Sequence, residues 1–140
     1  AMTGVLSPYI DAYKWSTSGF GTKYSNPGTA IPSTGTGVVF TKARDTIAVA
    51  SAGSPYVIAY AWTQASGFGS KYSNPATLPA GPGNGVAFTT TGDAIAVAHD
   101  TSPFISAYPW SGSGFGTKYS NPSTLPAFTT SGYSVAFGNG

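Results

Sequence analysis

From Tyr56 to Trp62 large and small apolar side chains alternate. Tyr56, Ile58, Tyr60 and Trp62 fall on one face of an extended strand, and Val57, Ala59 and Ala61 on the other. Ile95 and Val97 alternate with Ala94, Ala96 and Ala98 in the same way. A sheet with one face in water alternates apolar with polar residues instead. Two apolar faces, one bulky and one slight, suit a sheet held between similar sheets, so that large residues of one rest on small residues of the next. No run shows the three-or-four spacing of a helix.

Four extended runs follow one another within a unit. The first is Gly85–Thr90, ending at the turn Thr91-Gly92-Asp93. The second is Ala94–Ala98, and 99–103 turn into the third, Phe104–Trp110. After 111–114 the fourth runs from Phe115 to Ser120 and stops at Asn121-Pro122. Short runs bounded by Gly, Pro, Asn and Asp are a meander of hairpins.

The unit of about 48 residues is written three times. Trp15, Trp62 and Trp110 are spaced by 47 and 48, and Lys23, Lys71 and Lys118, each opening Lys-Tyr-Ser-Asn-Pro, by 48 and 47. A period in this range marks a stacked or circular array. The repeats run approximately over 7–53, 54–101 and 102–140 of a single domain spanning 1–140. The pattern predicts an all-β protein, a β-propeller of four-stranded antiparallel blades with three blades per chain.

The run from Gly85 to Ala98 resembles the inner two strands of a WD40-type β-propeller repeat. Phe88 and Gly92 match the family's Phe and turn Gly, and Ile95 to Ala98 its small-apolar second strand. Trp62 and Trp110 stand where the family often has Trp-Asp. Thr63 and Ser111 follow them here, and the Gly-His pair is absent, so the family's Asp-His-Ser/Thr network is not implied. The resemblance implies a blade and no particular activity. Tandem copies this similar also resemble those of repeat-rich phage or environmental propellers, whole, as a fragment or in engineered form.

The phase of the repeat carries an expectation about assembly. Residues 1–6, in which Ala1-Met2 resembles a cloning scar, lead directly into a third strand. At the other end two alignments exist. The preferred one sets Phe128 against Phe88 and matches Thr129, Thr130 and Gly132 with Thr89, Thr90 and Gly92, so that Ala127–Phe137 supply two strands. The other sets Ser134–Phe137 against Gly85–Phe88 and supplies only one. Either way the first and last blades are incomplete, and strand pairing across chain ends is expected to complete them. Propellers have about four to eight blades, so a homodimer closing a six-bladed ring is the expected form.

Composition narrows the chemistry. The 140 residues hold 7% charged side chains and a net charge of +2, against about 25% charged residues in ordinary domains. No basic stripe exists for nucleic acid. No apolar run reaches the roughly 18 residues of a membrane helix. There is no Cys and no Glu, hence no disulfide or thiolate metal site, and no cofactor motif is present. No compartment is assigned.

Neither an enzyme nor a metal site is expected. His99 beside Asp100 is the single His and reads as a turn residue, with a general base or ligand as the other reading. Asp45 and Asp93 read as turn caps. Gly35-Thr-Gly37 and the Gly81–Gly85 stretch read as flexible loop before the first strand; a phosphate cradle would need a helix after it.

The ligand candidates are the repeated groups Trp15, Trp62 and Trp110, Lys23, Lys71 and Lys118, and Tyr24, Tyr72 and Tyr119. The Trp residues read as packing between blades or as platforms for sugar rings, and the Lys residues as edge protection. Function is therefore expected to be that of a non-enzymatic scaffold or interaction module partnered by itself. Carbohydrate, as in a lectin, or another protein stand as other partners.

Overall fold

The computed structural model describes residues 1–127 and 130–138, which are all-β, with four sheets of antiparallel strands and no helix. The first third holds two small sheets. In one, β1 (Met2–Thr3) pairs with β2 (Ile10–Asp11), and in the other β3 (Tyr13–Ser16) pairs with β4 (Gly19–Lys23). The second third is a four-stranded meander of β5 (Gly35–Phe40), β6 (Thr46–Ser51), β7 (Val57–Thr63) and β8 (Gly67–Lys71). The last is β9 (Gly83–Phe88), β10 (Ala94–His99), β11 (Ile105–Ser111) and β12 (Gly114–Phe115), in the same order.

The alternation of large and small residues does what the sequence requires of it. Ala48, Val57 and Ala59 from one face of the β5–β8 sheet pack against Ile95, Val97, Tyr108 and Trp110 of the β9–β12 sheet. The opposite face of β5–β8, with Ile47, Val49, Ile58, Tyr60 and Trp62, packs against Ile10, Ala12, Tyr24 and Ile31 of the first third. The middle sheet is thus covered on both sides, and Ile47, Ala48, Val49 and Ala50 are all fully buried.

The turns repeat as closely as the strands. Thr89 Oγ1 accepts from the N–H groups of Asp93 and Ala94 and donates to the Asp93 carboxylate at 2.7 Å. Thr41, Asp45 and Thr46 repeat this arrangement. Gly92 takes a φ of +76° in that turn, and Arg44 takes +58° at the matching place. The hairpin before the third strand sets Tyr9, Tyr56 and Phe104 at φ of 66°, 69° and 67°. These left-handed residues are why the third strands begin one residue later than the pattern of apolar positions suggests.

Four expectations need correction. The chain enters in a second strand, not directly at a third, because Met2–Thr3 already pairs with Ile10–Asp11. The fourth strand reaches Lys71 in β8 but stops at Phe115 in β12. Pro109 stands where the other copies have Ala61 and Lys14, and it has no N–H to donate to the ladder. Gly116 and Tyr119 still donate to the Pro109 and Ala107 carbonyls. The glycines of 35–37 and 83–85 are not loop but the opening residues of β5 and β9. A Cβ on Gly37 would lie 3.0 Å from the Asn84 carbonyl oxygen and 3.2 Å from the Gly85 Cα, so glycine lets the two inner strands approach.

The C-terminal alignment is the fourth. Phe128 and Thr129, on which the preferred alignment rests, lie outside the described residues. Gly132 is not in a turn like Gly92. A Cβ there would collide with the Phe104 carbonyl, as one on Gly35 or Gly83 would with the carbonyl of Tyr9 or Tyr56. The Gly132 carbonyl accepts from Asn84 Nδ2 at 3.0 Å, as the Gly83 carbonyl accepts from Thr36 Oγ1 at 2.5 Å. Residues 132–137 therefore match 83–88, which is the other alignment.

Candidate functional site: the faces between sheets

The contact between neighbouring sheets is built the same way twice. Tyr24 leaves the end of β4 and meets Trp62 of β7 edge-on, with ring centroids 5.0 Å apart; Tyr72 and Trp110 repeat this at 5.0 Å. Each indole is closed in further by aromatics of its own sheet, Phe40 and Phe68 for Trp62, Phe88 and Phe115 for Trp110. Edge-to-face pairs add roughly 0.5–1.5 kcal/mol beyond area burial. Below them the Tyr60 and Tyr108 hydroxyls each donate at 2.8 Å to a carbonyl of the preceding sheet's outgoing loop, Thr29 and Thr77. Burial pushes both phenols up to about 12.

Trp62 and Trp110 are therefore buried, 8% and 7% exposed, while Trp15 is 65% exposed and, among the described residues, pairs its ring with Phe20 alone. Tyr24 is buried, Tyr72 is partly so, and Tyr119 is 49% exposed. The structure brings Trp15, Tyr24 and Trp62 to one cavity of about 420 Å³ between the first third and the β5–β8 sheet. Lys42, Arg44 and Gln64 stand at its margin and bring polar groups that sequence reasoning missed, because nothing in their spacing sets them beside Trp15. The counterpart between the next two sheets, beside Tyr72 and Trp110, is about 190 Å³.

The lysines do not join these aromatics. Lys71 and Lys118 donate to Asn74 and Asn121 Oδ1 of their own Lys-Tyr-Ser-Asn segments at 2.5 and 2.6 Å. Lys23 instead pairs with Asp11 at 2.5 Å, and that hydrogen bond holds its ammonium above the usual range. Lys23 ties β4 to β2, while Lys71 and Lys118 also donate to the Tyr72 and Tyr119 carbonyls and bond within their own segments.

His99 is fully buried, with Nε2 3.1 Å from Ser106 Oγ. Burial lowers its pKa from 6.5, although neighbouring backbone groups and Asp100 oppose the shift. It occupies the strand-end position of Ser51 in the β5–β8 sheet, facing the interior and not a cleft. Among the described residues no three His, Asp, Glu or Cys side chains come together to hold a metal. Comparison with protein-family models and with curated proteins returns no match to this chain.

Proposed function

We propose that the chain is a non-enzymatic β-propeller scaffold or interaction module that self-assembles, two three-bladed chains completing a six-bladed ring. One observation carries the reading: the sheet-to-sheet contact is made twice within the chain, and its two complementary halves stand open at opposite ends. Trp15 and Phe20, 65% and 81% exposed, belong to the bulky half, and Tyr119 to the other. Apolar groups this large are rarely left in water without a partner. Light scattering on the eluting protein tests the assembly, with twice the 14.1 kDa of one chain expected. A compact single-chain species at micromolar concentration overturns it.

The cavity at Trp15 favours a second reading, a lectin-like multivalent module. An aromatic wall of Trp15 and Tyr13 with Arg44 and Gln64 at hand has the mixture of apolar body and few polar groups that small ligands use. Glycan-array binding that disappears in Trp15→Ala and survives in Lys118→Ala supports it; a blank array removes it.

A further inference from the structure

The two open ends are halves of one interface, and the chain itself displays the completed form. In that form the bulky face of a sheet receives three things from the sheet before it: small residues, a Tyr at the end of the outer strand, and the loop that follows. For the β9–β12 sheet these are Ala59, Tyr72 and the Thr77 carbonyl. For the β5–β8 sheet they are Ala12, Tyr24 and the Thr29 carbonyl.

The first third presents Tyr13, Trp15 and Phe20 of that bulky face, with Asp11 at the place of Ile58, and among the described residues it lacks all three. Tyr13, at the place of Tyr60 and Tyr108, is 37% exposed where they are fully buried. A Cβ on Gly67 would crowd the Tyr24 ring at 2.8 Å and one on Gly114 the Tyr72 ring at 3.3 Å, yet one on Gly19 meets nothing within 4 Å. An apolar cavity of about 400 Å³ lies against Tyr13 and Phe20. At the far end the donors of the missing parts are exposed. Ala107 is half-buried where Ala59 is covered, Tyr119 is 49% exposed, and Leu125 in the loop after it is 45% exposed.

The inner strand tells the same story. Residues 132–137 already sit against β9 as β9 sits against β5. Tyr133 is 76% exposed. β6 has strands on both sides, whereas β1 pairs with β2 alone. Among the described residues no strand pairs with the other edge of Met2–Thr3, where β5 lies in the complete sheet.

We propose that the occupant of the Trp15 face is a second copy of this chain docked head to tail, with its Tyr119 ring on Trp15, its Thr124 carbonyl taking the Tyr13 hydroxyl, and its 132–137 segment beside β1. The contact is heterologous: two different patches meet, and neither patch meets itself. This rests on the scaffold reading and deepens it by naming the partner surface and its polarity. The cavity against Tyr13 and Phe20 is then an interface cavity, closed when the copies meet.

Polarity makes the test specific. Trp15→Glu and Tyr119→Glu each break every such contact in a closed pair, so each alone is expected at single-chain mass. Mixed one to one, they rebuild one native contact and recover twice that mass. Far-UV circular dichroism reports that the internal sheets stay formed. Because the chain has no Cys, a second measurement needs no background removal. The Cβ of Gly67 would lie 3.0 Å from that of Tyr24 and the Cβ of Gly114 3.5 Å from that of Tyr72, near the separation of about 3.5–4.5 Å that a disulfide spans. Gly19→Cys and Tyr119→Cys should therefore cross-link to a two-chain band only when mixed. If wild type assembles but neither Glu variant alters its mass, or either Cys variant cross-links to itself alone, the head-to-tail contact is wrong while the scaffold reading stands. If wild type is a single chain, both fail.

Discussion

The Tyr24 phenol stands edge-on to the Trp62 indole, at 5.0 Å and 73°, and its hydroxyl donates at 2.6 Å to the Gln64 carbonyl just beyond. One residue of the first third thus both packs into and hydrogen-bonds to the next sheet. Tyr24→Ala is expected to cost about 3–5 kcal/mol, and Tyr24→Phe about 1 kcal/mol for the hydrogen bond alone. Urea unfolding with an unchanged slope measures both; equal losses would mean that the ring contributes little.

Gly67 and Gly92 separate backbone strain from crowding. Both have left-handed φ, +84° and +76°, but only Gly67 has a ring against it, Tyr24 at 2.8 Å, while Gly92 has nothing within 4 Å. Each Ala substitution carries the backbone cost of roughly 1–2 kcal/mol. Gly67→Ala adds overpacking of about 1–3 kcal/mol. Paired denaturation curves should rank Gly67→Ala as the more damaging; equal midpoints would refute the crowding.

The buried His99 makes stability fall in mild acid. Burial lowers its folded pKa below 6.5, so between the two values the unfolded chain binds the extra proton. Stability therefore is insensitive to this group above pH 6.5 and declines as pH drops from 6.5 to the folded value. His99→Ser, which copies Ser51, should flatten the curve over that window. An unchanged slope in the variant would assign the effect elsewhere.

Tyr60 and Tyr108 act at the other end of the scale. Their pKa is raised from 10.0 to about 12 by burial, so the folded chain keeps protons that the unfolded chain releases. Their contribution is complete below pH 10 and is lost as pH rises from 10 toward 12. Absorbance at 295 nm should show these two phenols titrating late, with unfolding. Tyr60→Phe with Tyr108→Phe should reduce the alkaline loss of stability; persistence of the full loss would exclude them as its source.

The strands, the turns and the covering of both sheet faces were legible in the chain because they depend on neighbours in sequence. Alternation in Val57–Trp62 fixes which side chains share a face. Pro109 was visible too, but how far it shortens β12 depends on its place in the ladder. The register of 132–137 was misread because Gly132 matches Gly92 in sequence, whereas contacts with Phe104 and Asn84 decide its place in space.

What the sequence determined by itself is the repeated sheet, its large and small faces, and the nearly identical roles offered to Trp15, Trp62 and Trp110. Only the tertiary structure decided that these three tryptophans differ. Burial is a property of what lies across the interface, not of the residue: Tyr24 covers Trp62, Tyr72 covers Trp110, and among the described residues no Tyr ring packs on Trp15.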